Sequence, residues 1–205
     1  MDHEDSSFWC WRSWDSPRET SLATHGHEVA FTFGRDEAKL AQTAEQFGAH
    51  AMAPDEAAAW ADAIAITTPY AAAADAVLAA GDLTGKTVWD CTNPMKPDFS
   101  GLQVGGDTSA AEELQKVAGD GVVIKGIPPF AELLHSDEPT LGGEPVGSFV
   151  CGPDGPEKAV VTALLKQLPA NPVDGGPLEN ARSAPYAKRT NKNAAGSTKR
   201  AFSSG

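Results

Sequence analysis

Two basic side chains offer the clearest binding chemistry in the sequence. Arg35 and Lys39 follow Gly34, and a spacing of four residues places both on one face of a helical turn. A guanidinium and an ammonium placed in this way can converge on one phosphate group. The alternative interpretation is that both side chains are solvated and pair with their neighbours Asp36 and Glu37.

Two polar segments, each directly after an apolar run, form a second group of candidates. Thr67, Thr68 and Pro69 follow the first run, where Thr68 can cap a helix whose first turn holds Pro69. Asn93 and Pro94 follow the second run, and this pair predicts a rigid turn with exposed polar groups. Each segment predicts a ligand contact or, alternatively, an ordinary helix start or turn.

The cysteines and histidines indicate structural roles. Cys91 has no histidine near it in the sequence, so we expect a buried thiol and not a nucleophile. His25 and His27 flank Gly26, a pattern that favours a helix end before a strand over a metal site. His135 is also expected at a helix end. The sequence contains no Ser/His/Asp pattern, no paired carboxylates and no zinc motif, so we predict neither a catalytic side chain nor a metal.

Alternating strands and helices position these candidates. Strands are predicted over residues 28–33, 49–53, 63–67, 86–90, 122–127, 147–151 and 171–174, and helices over 36–47, 55–61, 70–80, 109–118, 130–134 and 156–168. The alternation and the apolar strands predict an α/β fold with a doubly wound, mostly parallel sheet of the Rossmann type. Such a sheet binds ligands beyond the carboxyl ends of its strands, which is where the candidate segments fall.

The end of the predicted strand 28–33 indicates which nucleotide the sheet would bind. At this position an Asp or Glu binds the 2′-hydroxyl of NAD, whereas an Arg accommodates the 2′-phosphate of NADP. Thr32 and Gly34 are not acidic, and Arg35 follows at once. These residues and Lys39 are therefore predicted to bind the cofactor, and they favour NADP over NAD.

Composition limits the remaining classes of protein. The chain has 205 residues, of which 41% are hydrophobic, and a net charge of −12. No apolar run approaches the roughly 20 residues of a membrane span, and neither a signal peptide nor an even set of cysteines is visible. We expect a cytoplasmic protein without a membrane partner. It divides into an atypical segment 1–22, a domain 23–182 and a tail 183–205.

The tail differs in charge from the rest of the chain. Residues 1–180 contain all 28 acidic residues, whereas residues 181–205 contain six basic residues and no acidic one. The tail is rich in Lys, Asn, Ser and Gly, so we expect it to be disordered. A natural basic tail that attracts nucleic acid weakly is an alternative, but no specific nucleic-acid partner is predicted.

Five runs, in this order between residues 24 and 182, resemble one family: THGHEVAFTFGRDEAKLA, AIAITTPYAAAADAVL, GKTVWDCTNPM, VVIKGIPPFAELL and PVDGGPLENAR. Their order and spacing resemble the NADPH-dependent reductases of the deazaflavin coenzyme F-420. The resemblance implies a Rossmann domain that binds NADP(H) and transfers a hydride to a small-molecule acceptor. It also implies a homodimer, since the family continues after the last run into a helix that helps to form one.

The resemblance assigns roles to residues at four strand ends. Arg35 and Lys39 would hold the 2′-phosphate. Thr67, Thr68 and Pro69 would border the nicotinamide ribose, and Asn93 and Pro94 would line the cleft. The deazaflavin ring would dock at Ile127 and Pro128. The family often has an Asn- and Thr-containing turn where this chain has Ile-Pro-Pro, so a related acceptor is an alternative to coenzyme F-420.

The N-terminal segment departs from the family's pattern. The family opens with a strand and G-x-G-x-x-G, whereas this chain has Trp9, Trp11 and Trp14 at that spacing and no glycine before Gly26. Side chains at those positions keep a pyrophosphate away from the backbone N–H groups. The sequence therefore predicts weak NADPH binding and little activity. A noncatalytic dinucleotide-binding or regulatory module, or a defective gene product, is the alternative function.

The genetic code suggests a cause for this departure. Read one nucleotide later, the codons of the three tryptophans give glycine whatever synonymous codons surround them, and Cys10 gives Val or Ala. We hypothesise that residues from about 3 to 20 are translated off frame. The alternative is an authentic Trp-rich segment. A second off-frame segment could explain the tail. Residues 6–11 remain β-prone, so we still expect a first strand at the centre of a 3-2-1-4-5-6 sheet.

Overall fold

The computed structural model describes residues 7–11, 22, 25–32, 37–96, 98, 100–126, 140–141, 144–168 and 170–182. These residues form nine strands: β1 (Ser7–Trp11), β2 (Glu28–Thr32), β3 (His50–Ala51), β4 (Ala63–Ile66), β5 (Thr87–Asp90), β6 (Val122–Gly126), β7 (Thr140–Leu141), β8 (Glu144–Cys151) and β9 (Ala170–Gly176). The helices of the same residues are α1 (Glu37–Gln46), α2 (Pro54–Trp60), α3 (Tyr70–Ala79), α4 (Ala110–Ala118), α5 (Pro156–Gln167) and a 3-10 helix (Leu178–Arg182).

The strands join in one sheet of order β3-β2-β1-β4-β5-β6-β8-β7, with β9 paired to β8. The first six strands are parallel, which confirms the predicted α/β, doubly wound fold. β8 runs antiparallel to β6, and β7 antiparallel to β8. β1 lies in the middle of the parallel part, paired with β2 along five residues and with β4 along three. The predicted first strand and its central position are thus both confirmed.

Two apolar clusters cover the two faces of the sheet. Along β4, Ile64 and Ile66 belong to the cluster made with α2, α3 and α4, whereas Ala63 and Ala65 belong to the cluster made with α1 and α5. This alternation follows from the strand period of two, which sends successive side chains to opposite faces. Because both faces are covered, the parallel strands contain apolar residues at nearly every position.

Glycines end several elements where the sequence predicts it. Gly26 has a φ of 88°, in the left-handed region that favours glycine, and the N–H groups on both sides of it bond to the carbonyl of Leu22. Gly48 and Gly81, which follow α1 and α3, also have positive φ values. Gly48 and Gly81 confirm the ends of the helices predicted over residues 36–47 and 70–80. The helix expected before Gly26 lies almost entirely outside the described residues.

Several predicted elements have different bounds or lie outside the described residues. β8 begins at Glu144 and β9 extends to Gly176, so this edge of the sheet is longer than predicted. The predicted helix 130–134, His135 and the tail 183–205 lie outside the described residues. Within the part of the chain that is described, no helix has the length and apolar character needed to cross a membrane.

Candidate functional site

Three threonines lie at the carboxyl ends of the parallel strands β2, β4 and β5. Thr32 ends β2, Thr68 follows β4 by two residues and Thr92 follows β5 by two residues. All three are buried, and no group in the described part of the chain forms a hydrogen bond with any of their Oγ1 atoms. A buried hydroxyl without a partner costs free energy, so such groups are rare in folded proteins. The edge therefore holds polar groups whose hydrogen bonds the described residues do not complete.

The start of α3 differs from the expected helix cap. Pro69 is the N-cap residue, with φ −52° and ψ 139°, and no side chain bonds to the first turn. The prediction that Thr68 caps the helix and that Pro69 lies in its first turn was therefore wrong. The extended ψ of Pro69 delays the helix to Tyr70 and leaves the Thr68 hydroxyl unused. Thr67 is half-buried, and Pro69 is exposed.

The loop after β5 forms the turn that Asn93 and Pro94 predict. The N–H of Cys91 donates to the carbonyl of Ile66, which extends the ladder between β4 and β5 beyond the strands. Asn93 is exposed, Pro94 is buried, and the N–H of Met95 donates to the carbonyl of Asn93 over 2.8 Å. The thiol of Cys91 is buried, as predicted.

Lys125 and Asp90 form a buried ion pair that the sequence interpretation missed. They are register partners on β6 and β5, and Nζ of Lys125 lies 2.9 Å from Oδ2 of Asp90. The same Nζ donates to the carbonyl of Thr92 over 2.5 Å, and Oδ1 of Asp90 accepts the N–H of Thr92 over 2.8 Å. A lysine inside the apolar run VVIKG was the available signal, because a charge in a doubly covered strand needs a partner.

Tyr70 adds a hydroxyl group to the same edge. It is half-buried at the first residue of α3. Burial raises the pKa of its phenol, and the negative charges of Glu113 and Asp90 raise it further. The phenol therefore stays protonated at neutral pH and can donate a hydrogen bond.

The predicted phosphate-binding residues are only partly described. Lys39 is exposed in the first turn of α1. Gly34 and Arg35 lie outside the described residues, as do Ile127 and Pro128. Whether Arg35 and Lys39 converge, and where a deazaflavin would dock, therefore stay predictions.

The histidines beside Gly26 form no cluster of metal ligands. Nε2 of His27 lies 2.6 Å from Oε1 of Gln167, at the end of α5. Among the residues that the structure describes, no three His, Cys, Asp or Glu side chains are grouped so that they could hold a metal ion. His27 instead links β2 to α5.

Comparison with known proteins agrees with this architecture. Residues 19–94 match the family model described as NADP oxidoreductase coenzyme F420-dependent. No curated protein sequence matches the chain. One solved structure, from Arthrobacter sp. FB24, has a name that relates it to F420-dependent NADP reductases. It is 27% identical to this chain, with a TM-score of 0.75, and the match covers 87% of this chain and 88% of that one.

Two further solved structures share the fold. A hypothetical protein from Sinorhizobium meliloti is 24% identical with a TM-score of 0.71, over 88% of both chains. A reductive aminase from Aspergillus terreus, in complex with NADPH and ethyl levulinate, is 20% identical with a TM-score of 0.64, over 88% of this chain and 57% of that one. The resemblance inferred from the sequence is confirmed over residues 19–94, which match the family model of coenzyme F420-dependent NADP oxidoreductases.

Proposed function

We propose that the chain is an NADP-dependent oxidoreductase whose cofactor binds along the carboxyl ends of β2, β4 and β5. The observation that carries this proposal is the set of three buried hydroxyls at that edge, of Thr32, Thr68 and Thr92, which bond to no group among the residues that the structure describes. A dinucleotide offers ribose, phosphate and amide groups that could complete their hydrogen bonds. The family match over residues 19–94 supports the same class of enzyme.

The residues that we propose to hold this cofactor follow the carboxyl ends of β2, β4 and β5. Arg35 and Lys39 would hold the 2′-phosphate, while Thr67, Thr68 and Pro69 would border the nicotinamide ribose and Asn93 and Pro94 would line the cleft. NADP(H) supplies or accepts the hydride when bound. The protein then needs only to place two ring systems close together and to exclude water, so no nucleophile or general base is required.

We propose the deazaflavin coenzyme F-420, or a related small molecule, as the hydride acceptor. The family name supports coenzyme F-420, and Ile127 and Pro128 are the residues proposed to dock its ring. We further propose that the protein acts as a cytoplasmic homodimer, with no membrane partner and no specific nucleic-acid partner.

Binding and turnover test this function separately. Titration with NADPH and with NADH, followed by the fluorescence of the reduced nicotinamide, should show preference for NADPH. Thr68→Val removes one hydroxyl at nearly constant volume and should weaken NADPH binding about fivefold to tenfold. Oxidation of NADPH in the presence and absence of coenzyme F-420 then tests the acceptor. Equal affinity of Thr68→Val and the parent for NADPH would remove the main support for the site.

One observation supports a second candidate function. The chain would then be a noncatalytic dinucleotide-binding or regulatory module, or a defective gene product. β1 ends at Trp11 in the centre of the sheet, and the next glycine in the chain is Gly26. The loop after this strand is where a dinucleotide's pyrophosphate approaches the backbone, which requires glycine. This chain should therefore bind NADPH more weakly than micromolar. A micromolar dissociation constant would favour the enzyme over this alternative.

A further inference from the structure

We infer that Lys125 is a positioning residue, which acts through Thr92 to hold the loop after β5 in place for the nicotinamide half of the cofactor. The inference rests on the proposed function, but it assigns to the buried ion pair of Lys125 and Asp90 a task that the proposed function leaves open. It also explains why a charged side chain occupies the interior of an otherwise apolar strand.

The ion pair holds both backbone groups of Thr92. Asp90 accepts the N–H of Thr92 with one carboxylate oxygen and binds Nζ of Lys125 with the other. Nζ of Lys125 also donates to the carbonyl of Thr92. Side-chain contacts on both sides of one residue restrict its φ and ψ, so they set the direction in which the chain leaves β5.

The burial of the ion pair strengthens its restraint on Thr92. The side chain of Lys125 is 2% exposed and that of Asp90 is 0% exposed. Water does not reach the ion pair, so neither charged group can replace its protein partners by solvent. If Thr92 moved away, a buried charge would lose one of its hydrogen bonds. Asn93 and Pro94, which follow Thr92 directly, are thereby fixed relative to β5 and β6.

The sheet order indicates which half of the cofactor this loop faces. In a 3-2-1-4-5-6 sheet the dinucleotide crosses the point where the strand order reverses, between β1 and β4. The adenosine ribose would lie at the end of β2, so the nicotinamide half would lie on the side of β4 and β5. A disturbance of the Thr92 loop should therefore affect one half of the cofactor and spare the other.

Two fragments of the cofactor test this separation in the full-length chain. Nicotinamide mononucleotide probes the β4–β5 side, and adenosine 2′,5′-bisphosphate probes the β2 side; NMR titration measures both affinities. Lys125→Met keeps the length of the side chain and removes its charge. We expect its affinity for nicotinamide mononucleotide to fall about tenfold and its affinity for adenosine 2′,5′-bisphosphate to stay within about twofold.

Two further variants separate positioning from stability. Asp90→Asn combined with Lys125→Met leaves no uncompensated charge and keeps an acceptor for the Thr92 N–H, so thermal stability should recover while affinity for nicotinamide mononucleotide stays low. Lys86→Met is the matched control. Nζ of Lys86 also donates to backbone carbonyls, those of Ala59 and Ala61, but at the opposite end of β5. It should change neither affinity.

The outcomes distinguish this inference from the proposed function. If the parent chain binds neither fragment, the proposed function is wrong and the inference falls with it. If the parent binds both and Lys125→Met lowers both affinities equally, or neither, the proposed function stands and the positioning role is refuted. Recovery of nicotinamide mononucleotide binding in the uncharged double variant would also refute it, because the lost affinity would then reflect stability alone.

Discussion

Arg182 donates two hydrogen bonds to the carboxylate of Glu112, a residue 70 positions earlier in the chain. Nε of Arg182 lies 2.8 Å from Oε2, and Nη2 contacts Oε1. Planar, two-pronged contacts of this kind are among the stronger ion pairs at protein surfaces. The pair ties the 3-10 helix at the end of the described chain to the first turn of α4.

The pH dependence of stability tests this contact. The hydrogen bond from Arg182 holds the pKa of Glu112 below its usual value of about 4.3, and Ser109 adds to the effect against the opposing effect of burial. Because the folded-state pKa is depressed, the stabilisation is complete above the unfolded-state pKa and is lost as pH falls through the folded-state pKa. Arg182→Met should therefore lower the melting temperature at pH 7, and its effect should shrink as the pH falls through the depressed folded-state pKa of Glu112.

A matched control for this variant lies one turn along the same helix. Lys116 pairs with Glu113 at 2.8 Å, but both residues belong to α4. Lys116→Met should lower stability less than Arg182→Met, and only the Arg182 variant should speed hydrogen exchange in residues 178–182. Equal exchange in the two variants would contradict a tertiary role for Arg182.

The capping box of α4 predicts a local cost when it is removed. Oγ of Ser109 accepts the N–H of Glu112 over 3.2 Å and donates to its carboxylate over 2.8 Å. Ser109→Ala should lower the free energy of unfolding by about 1 kcal/mol, and Ser109→Gly by only a few tenths. Urea unfolding with an unchanged m-value measures both. A larger loss for glycine than for alanine would show that capping is not the source.

Close packing at the end of β6 predicts that Gly126 has little room for a side chain. A Cβ at Gly126 would lie 3.0 Å from Nε1 of Trp89 and 3.1 Å from Cδ1 of Leu165. Gly126→Ala should therefore cost about 1–3 kcal/mol of unfolding free energy. Gly105→Ala is the control, since no atom lies within 4 Å of its added Cβ, and it should stay within about 0.5 kcal/mol of the parent. Similar losses in chemical unfolding would refute the steric argument.

The reading-frame hypothesis predicts a gain of binding. A chain whose residues 3–20 are restored to the alternative frame would carry glycine at positions 9, 11 and 14, and its affinity for NADPH should rise at least about tenfold. The control replaces the same three tryptophans with alanine, which removes the indoles but leaves a Cβ at each position. Calorimetric titration compares the two. Equal gains, or none in the restored chain, would contradict the hypothesis, and sequencing codons 1–25 of the gene tests it directly.

Local patterns made much of the fold predictable. The apolar strand runs and the helix stops at Gly48 and Gly81 depend on residues close in sequence, so the strand order and helix limits could be inferred. The helix start at Ser109 also depends on a short local pattern, since both of its hydrogen bonds are to Glu112, three residues later. The cap at Thr68 was predicted wrongly because Ser/Thr–Pro placement alone does not determine ψ of the proline.

Contacts between distant residues were not predictable in the same way. Lys125 and Asp90 lie 35 positions apart, and their pairing depends on the register of β5 against β6. The longer β8 and β9 pair with each other, so their bounds depend on a partner strand and not on local propensity. The site residues could be named from the resemblance. The lack of a partner for the Thr92 hydroxyl among the described residues could not be predicted, because it depends on how the ion pair positions the loop.

The pairing of β1 on both sides has a practical consequence. A parallel ladder is built from main-chain N–H and C=O groups, which every residue except proline supplies in full. The sheet can therefore accept the sequence SFWCW at its centre. Circular dichroism reports on this ladder and does not by itself identify the side chains that the strand carries. For this protein, the gene sequence and the binding of a ligand are the measurements that report whether its first twenty residues are the intended ones.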